Sequence, residues 1–221
     1  MANTLDLEEQ EQLDQIKHFW NRYGNAITWV AIVIFGSIAA WNAWQYWQAK
    51  QSAAASVLYD EVERAVVDRD AQRMDRAFND LKDKYGGTAF AQQGALLAAK
   101  GLYAAGASDK AKAGLEWAAG QTTDPALQAV ARLRLSALAL EQKDLDGAAK
   151  WLEGAMPPEF AALVADRKGD ILISKDQKSE ARQAYQQAFN LMDEQVEYRR
   201  LIEVKLNALG VDVSAASVSN K

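Results

Sequence analysis

Charged and apolar positions alternate along most of the chain, and one stretch breaks the pattern. From Tyr23 to Ala49 no residue carries a formal charge, and Arg22 and Lys50 close the stretch on either side. A hydrocarbon core of about 30 Å needs about 20 helical residues, so this stretch predicts a helix able to span with some tilt. Its centre, Ala26 to Trp41, is polar only at Thr28 and Ser37, whose hydroxyls can bond back to the helix's own carbonyls. Trp20, Tyr23 and Trp29 stand at the leading end; Trp41, Trp44, Tyr46 and Trp47 crowd the trailing end. Amphipathic rings favour the two headgroup layers, which is the physical reason for such paired belts. A buried core helix rarely needs both this length and two belts. A cleaved signal peptide would have a basic leader and small residues at its end. Here the leader is acidic (Asp6, Glu8, Glu9, Glu11, Asp14) and the end carries tryptophans. The pattern therefore predicts an uncleaved transmembrane helix.

Ahead of the span, Asp6 with Glu9 resembles a capping box. Leu13, Ile16, Trp20 and Tyr23 follow at spacings of three, four and three, one apolar stripe. That predicts a short amphipathic helix, read as a lead-in to the span or as an interfacial or partner-docking helix. After Gln51 no Gly or Pro occurs until Gly86, so the helix should continue, with Leu58, Val62, Ala65 and Val66 as its apolar face. DRDAQR (68–73) marks a polar turn, and a second helix is expected from about Met74 to Tyr85, capped by Gly86-Gly87.

From there the chain repeats itself. AFNDLKDK (77–84), AKAGLEWA (111–118), AAKWLEGA (148–155) and ARQAYQQA (181–188) superpose on their leading alanines, spaced by 34, 37 and 33 residues. A large apolar residue follows four positions later in each: Leu81, Leu115, Leu152 and Tyr185. An alanine follows seven positions later in three of them, at Ala118, Ala155 and Ala188. Small residues let two helices approach and the large one fills the adjoining hole. A helix–turn–helix period near 34 residues with that arrangement is the tetratricopeptide pattern. Gly169, Ser136 and Ala99 sit at the matching small positions of the partner helices. Pro125 and Pro157-Pro158 fall between pairs, as breakers should. Asp193 to Leu209, with Glu194, Glu197, Arg199, Arg200, Glu203 and Lys205, reads as a closing helix with a mixed charged face. The predicted architecture is all-α: a leader (1–24), a transmembrane helix (25–48), a tetratricopeptide-like helical-repeat solenoid (49–210) and a flexible tail (211–221).

Composition agrees and narrows the functional classes. The chain is alanine-rich with three prolines, which favours helix. Net charge is −5, with 3 basic and 5 acidic residues up to Gln51 and 22 and 25 after it; neither part has the basic excess that nucleic acid asks for. Lys17 and Arg22 precede the span and Lys50 alone follows it closely, a bias towards a cytoplasmic amino terminus. With no cysteine, disulfides, thiol catalysis and thiolate metal sites are excluded. The one histidine, His18, lies beside the span without partners. Asp144-Leu145-Asp146-Gly147 lacks the spaced oxygens of a calcium loop and reads as a turn. No phosphate loop, nucleophile elbow or spaced metal set occurs, so the expectation is no catalytic, metal or cofactor residues, no cofactor and no small-molecule substrate. Within the span, Gly36 and Ala40, like Ala39 and Ala43, are four apart and allow close helix–helix packing.

Two stretches carry a resemblance to a known family. EQLDQIKHFWNRYGNAITW (11–29) and FAALVADRKGDILISKDQKSEARQAYQQA (160–188) resemble the YfgM-type proteins of Gram-negative bacteria, ancillary subunits of the SecYEG translocon. The resemblance runs from about Glu11 to Leu209. It implies a single-pass inner-membrane protein with a periplasmic domain. It also implies association with the translocon and with a membrane-anchored, prolyl-isomerase-like periplasmic chaperone; no catalytic residues come with it. Three functional classes follow. The first is an adaptor that recruits the chaperone to the exit side of the translocon. The second is a holdase gripping unfolded envelope proteins in the concave surface of the repeats. The third, an envelope enzyme, has no motif behind it. On the repeat register Leu96, Tyr103, Leu133 and Leu140 are placed to line the concave surface, although helix-pair core is the commoner fate of such residues.

Overall fold

A computed structural model describes residues 7–211 of the chain, entirely as helices and turns. The Asp6 half of the expected capping box and the tail from residue 212 lie outside the described residues. Two compact units divide the chain after Gln51.

The first unit is built on helix α1 (Leu7–Val67), which enters it at Leu7 without a break between leader and span. The leader's apolar stripe is thus continuous with the transmembrane helix rather than a separate element. Thr28 donates to the Gly24 carbonyl at 2.8 Å and Ser37 to the Val33 carbonyl at 2.7 Å, so both hydroxyls inside the span are satisfied by their own helix. None of the apolar window is buried. Phe35 is 71% exposed and Trp29, Val33 and Trp41 are each 63% exposed, as a helix surrounded by lipid requires. The Trp20 ring packs over Gly24, and the Trp44 and Trp47 rings stack 5.4 Å apart at the trailing end.

The second unit takes up α1 from residue 52 and adds α2 (Ala71–Tyr85), α3 (Ala89–Ala104), α4 (Ser108–Gln121), α5 (Pro125–Glu141), α6 (Leu145–Lys150), α7 (Ala161–Ser174), α8 (Lys178–Leu191) and α9 (Tyr198–Ala208). They form four antiparallel pairs and a closing helix. The sequence expectation started α2 at Met74; it starts at Ala71, because the Asp70 side chain caps it by accepting from the amides of Gln72 and Arg73.

The repeat is written into the backbone as well as the side chains. Each pair turns through one residue in the left-handed region: Arg69 (φ 57°), Gly106 (78°), Lys143 (61°) and Asp176 (58°). At every turn the next amide reaches back five residues to a carbonyl: Asp70 to Ala65, Ala107 to Leu102, Asp144 to Ala139 and Gln177 to Leu172. Only Gly106 adopts this conformation without a steric penalty; the other three each cost about 1–2 kcal/mol, which the surrounding helix pairs must offset.

The leading alanines Ala77, Ala111, Ala148 and Ala181 are buried, as are Leu81, Leu115, Leu152 and Tyr185 beside them. At the crossing points the small residues do what the pattern requires. Ser136 donates to the Ala148 carbonyl at 2.8 Å. The Tyr185 ring lies so close to Gly169 that an added Cβ there would clash with it.

The third pair departs from the expected register. α6 ends at Lys150, so Ala155 is exposed in a loop instead of packed at a crossing. Gly154 in the left-handed region (φ 80°) and Pro157-Pro158 stop the helix. Arg132 of α5 replaces the missing turns, donating to the carbonyls of Trp151, Glu153 and Ala155.

Candidate partner-binding surface

The two helices that open the second and third pairs, α3 and α5, lie side by side with α4 behind them. Two polar ties set their spacing. Midway along both helices, α5 sends the Arg134 guanidinium to the Leu96 carbonyl of α3 at 2.8 Å. Near the far end, the Tyr103 hydroxyl of α3 donates to the Glu141 carboxylate of α5 at 2.6 Å. Between the ties lies a cavity of about 350 Å³ floored by Ala99, Leu115, Ala137 and Leu138, with Lys100, Tyr103, Arg134 and Glu141 around it. The Glu141 carboxylate raises the Tyr103 phenol above its ordinary pKa, so the phenol stays a donor. Partial desolvation against α3 pulls the Arg134 guanidinium down from its usual value, although the residue as a whole is exposed. On the other side of α3 a second cavity, about 390 Å³, is lined by Val66, Arg69, Met74, Leu97, Lys100 and Gly101 among others. Lys100 lines both.

Of the four sequence-predicted surface residues, Tyr103 lines this trough and is 44% exposed. Leu96 is buried in the main core and contributes only its carbonyl, to Arg134. Leu133 and Leu140 are half-buried against the core of the third and fourth pairs, with Ala139, Ala148, Leu152 and Ile171. The reason is helical phase: the trough side of α5 carries Arg134, Ala137, Leu138 and Glu141, and Leu133 and Leu140 lie one step behind it. In the span, Gly36 has open space where a Cβ would stand, and the trough residues Lys100 and Arg134 were legible only as surface charges.

A second cluster was not anticipated at all. Asp166 and Asp170 of α7 meet Lys205 of α9, whose ammonium lies 2.8 and 2.9 Å from the two oxygens of Asp166 and 2.7 Å from Asp170. Tyr198 donates to Asp166 and Tyr185 to Asp170, each at 2.8 Å. Burial, with these carboxylates beside them, holds both phenols well above the ordinary tyrosine range. Paired carboxylates beside a lysine have the ingredients of acid–base chemistry, but every oxygen here is engaged and Asp166 is 1% exposed. The cluster fastens α9 to the end of the solenoid. No group of three or more His, Asp or Glu side chains among the described residues could hold a metal ion.

The family model described as a tetratricopeptide repeat-like domain matches residues 17–211. The chain belongs to that family. The tetratricopeptide-like chain is also similar, nearly end to end, to curated bacterial proteins. A Neisseria gonorrhoeae relative is 30% identical over 204 residues, covering 92% of this chain and 98% of its own length. A Haemophilus influenzae relative is 30% identical, covering 93% and 100%. An Escherichia coli K12 relative is 28% identical, covering 92% and 97%. Each of the three is named an ancillary SecYEG translocon subunit. No solved structure matches the chain.

Proposed function

We propose that this chain is an ancillary subunit of the SecYEG translocon: a non-catalytic adaptor of the bacterial inner membrane. Its tetratricopeptide-like domain stands on the periplasmic side and binds a membrane-anchored, prolyl-isomerase-like chaperone, bringing it to emerging polypeptides. The observation that carries the reading is the end-to-end match to the translocon subunits, membrane helix included. The Lys17 and Arg22 bias ahead of the span supports the orientation. Gly36 and Ala40 offer the span a face for close contact with another transmembrane helix. The apolar floor of the α3–α5 trough favours a second reading, a holdase that grips unfolded envelope proteins directly.

Purification of the tagged full chain from membranes in mild detergent separates the two. The adaptor reading expects the translocon and one chaperone in fixed ratio to the chain. Recovery of neither overturns it. A chain that comes alone yet suppresses aggregation of unrelated unfolded proteins establishes the holdase instead.

A further inference from the structure

The trough on either side of α3 has a charge character opposite to that of the chain. Its charged lining residues are Arg69, Lys100, Arg134 and Glu141, a net of +2 on a chain whose net charge is −5. Among the described residues no carboxylate oxygen lies within ion-pairing distance of Arg69, Lys100 or Arg134. Glu141, the single carboxylate, already accepts from Tyr103. Cations elsewhere in the same repeats do find partners: Arg73 reaches Glu61 and Asp68, and Lys110 reaches Asp75. Among the described residues, three cations without a carboxylate partner, one of them tied to the Leu96 carbonyl, thus rim a surface whose floor is aliphatic.

We infer that this trough binds an extended polypeptide segment carrying carboxylates next to a large apolar side chain. The apolar side chain enters the α3–α5 cavity over Leu115 and Leu138, and the carboxylates reach Lys100 and Arg134 on its rim. A cavity of about 350 Å³ is at the small end of ligand sites, which run about 300–1,000 Å³, and suits one side chain with its backbone. A second cavity, also lined by Lys100 and reaching Arg69, gives the segment a further place to bind, which a compact small molecule would not need. The Arg134–Leu96 and Tyr103–Glu141 ties hold the two walls apart beforehand, so little ordering is left for the binding step. This rests on the reading of the domain as a polypeptide-binding module and adds which chemistry it selects.

The test uses the full chain in phospholipid nanodiscs and three short fluorescein-labelled peptides: a phenylalanine flanked by aspartates, the same with lysines for aspartates, and the same with alanine for phenylalanine. Fluorescence anisotropy should show the first binding at least about tenfold more tightly than either control, the scale of one charge-assisted contact. Lys100→Glu, at an exposed position that pairs with no carboxylate among the described residues, should weaken the acidic peptide by about tenfold and strengthen the lysine peptide. A gain for the lysine peptide is something a misfolded variant could not produce. Arg69→Glu, also exposed, gives the same reversal more weakly. Equal binding of the acidic and lysine peptides, or a Lys100→Glu chain indistinguishable from the parent, overturns the inference. Failure of the adaptor reading looks different: the parent chain would then bring down no chaperone, whatever its peptide preference.

Discussion

Removing the ammonium of Lys205 should unfasten the end of the solenoid. Lys205→Met keeps the stem's packing beside Ile202 and Leu206, both fully buried, and deletes the only cation among the described residues that pairs with Asp166. Asp170 retains Arg167 at 3.3 Å and the Tyr185 hydroxyl; Asp166, with its side chain 2% exposed, retains among the described residues only the Tyr198 hydroxyl. Stranding a buried charge by removing its partner typically costs about 3–5 kcal/mol. Lys205 is 21% exposed, so water can enter where the ammonium was and the lower end applies, about 3 kcal/mol. In a solenoid the loss falls on α9 and the pair beneath it rather than on the whole stack. Urea melts of a fragment beginning near Gln51, followed by circular dichroism, should therefore show an early transition, and hydrogen exchange should place it in α8 and α9. The double variant Asp166→Asn with Lys205→Met removes the stranded charge and should recover all but about 1 kcal/mol. If Lys205→Met costs less than about 1 kcal/mol, or the double variant is no better than the single, the cluster is not a fastening and the reasoning fails.

Three further outcomes follow from the same structure. Ala181 is fully buried while Gln183 is exposed, so Ala181→Leu should cost about 1–3 kcal/mol in urea melts and Gln183→Leu less than about 0.5; equal midpoints would refute the repeat register. Tyr185 and Tyr198 have folded pKa values raised above the ordinary value of about 10, so their contribution is fully present below that pH and is lost as pH rises beyond it, because the unfolded chain releases protons that the folded one keeps. Stability measured between about pH 10 and 11 should fall, less so in Tyr185→Phe with Tyr198→Phe; a parent chain as pH-sensitive as this double variant would contradict the buried assignment. Protease added to spheroplasts should remove the domain beyond residue 52 and spare the leader, whereas a domain that survives until lysis would reverse the topology.

Most of the fold was legible because it rests on spacing. The charge-free stretch with its belts gives the span, and the alanines 33 to 37 residues apart give the pairs, since close helix crossings admit few side chains. The register failed where local chemistry overrode it. Trp151 to Ala155 continues the pattern in sequence, yet Gly154 and the two prolines end the helix and Arg132 takes over its role. Lys205 reads as one charge on a solvated face, although its place three residues after Ile202 and one before Leu206 puts it on the buried side. The trough was less legible still. Tyr103 could be picked out as a large residue on the repeat phase, but Lys100 and Arg134 matter only because α3 and α5 bring them together across 34 residues of sequence. Nothing local marks that juxtaposition.

The central claim, that the repeat domain engages a polypeptide partner through its α3–α5 face, is most directly tested by photocrosslinking in intact membranes. A photoreactive residue placed singly at positions along 90–210 should give one strong adduct, of a chaperone's mass, from positions 103 and 137 beside the trough. Position 183, exposed on α8, should give little. Adducts of equal strength from 103, 137 and 183, or none from the trough, would contradict the account.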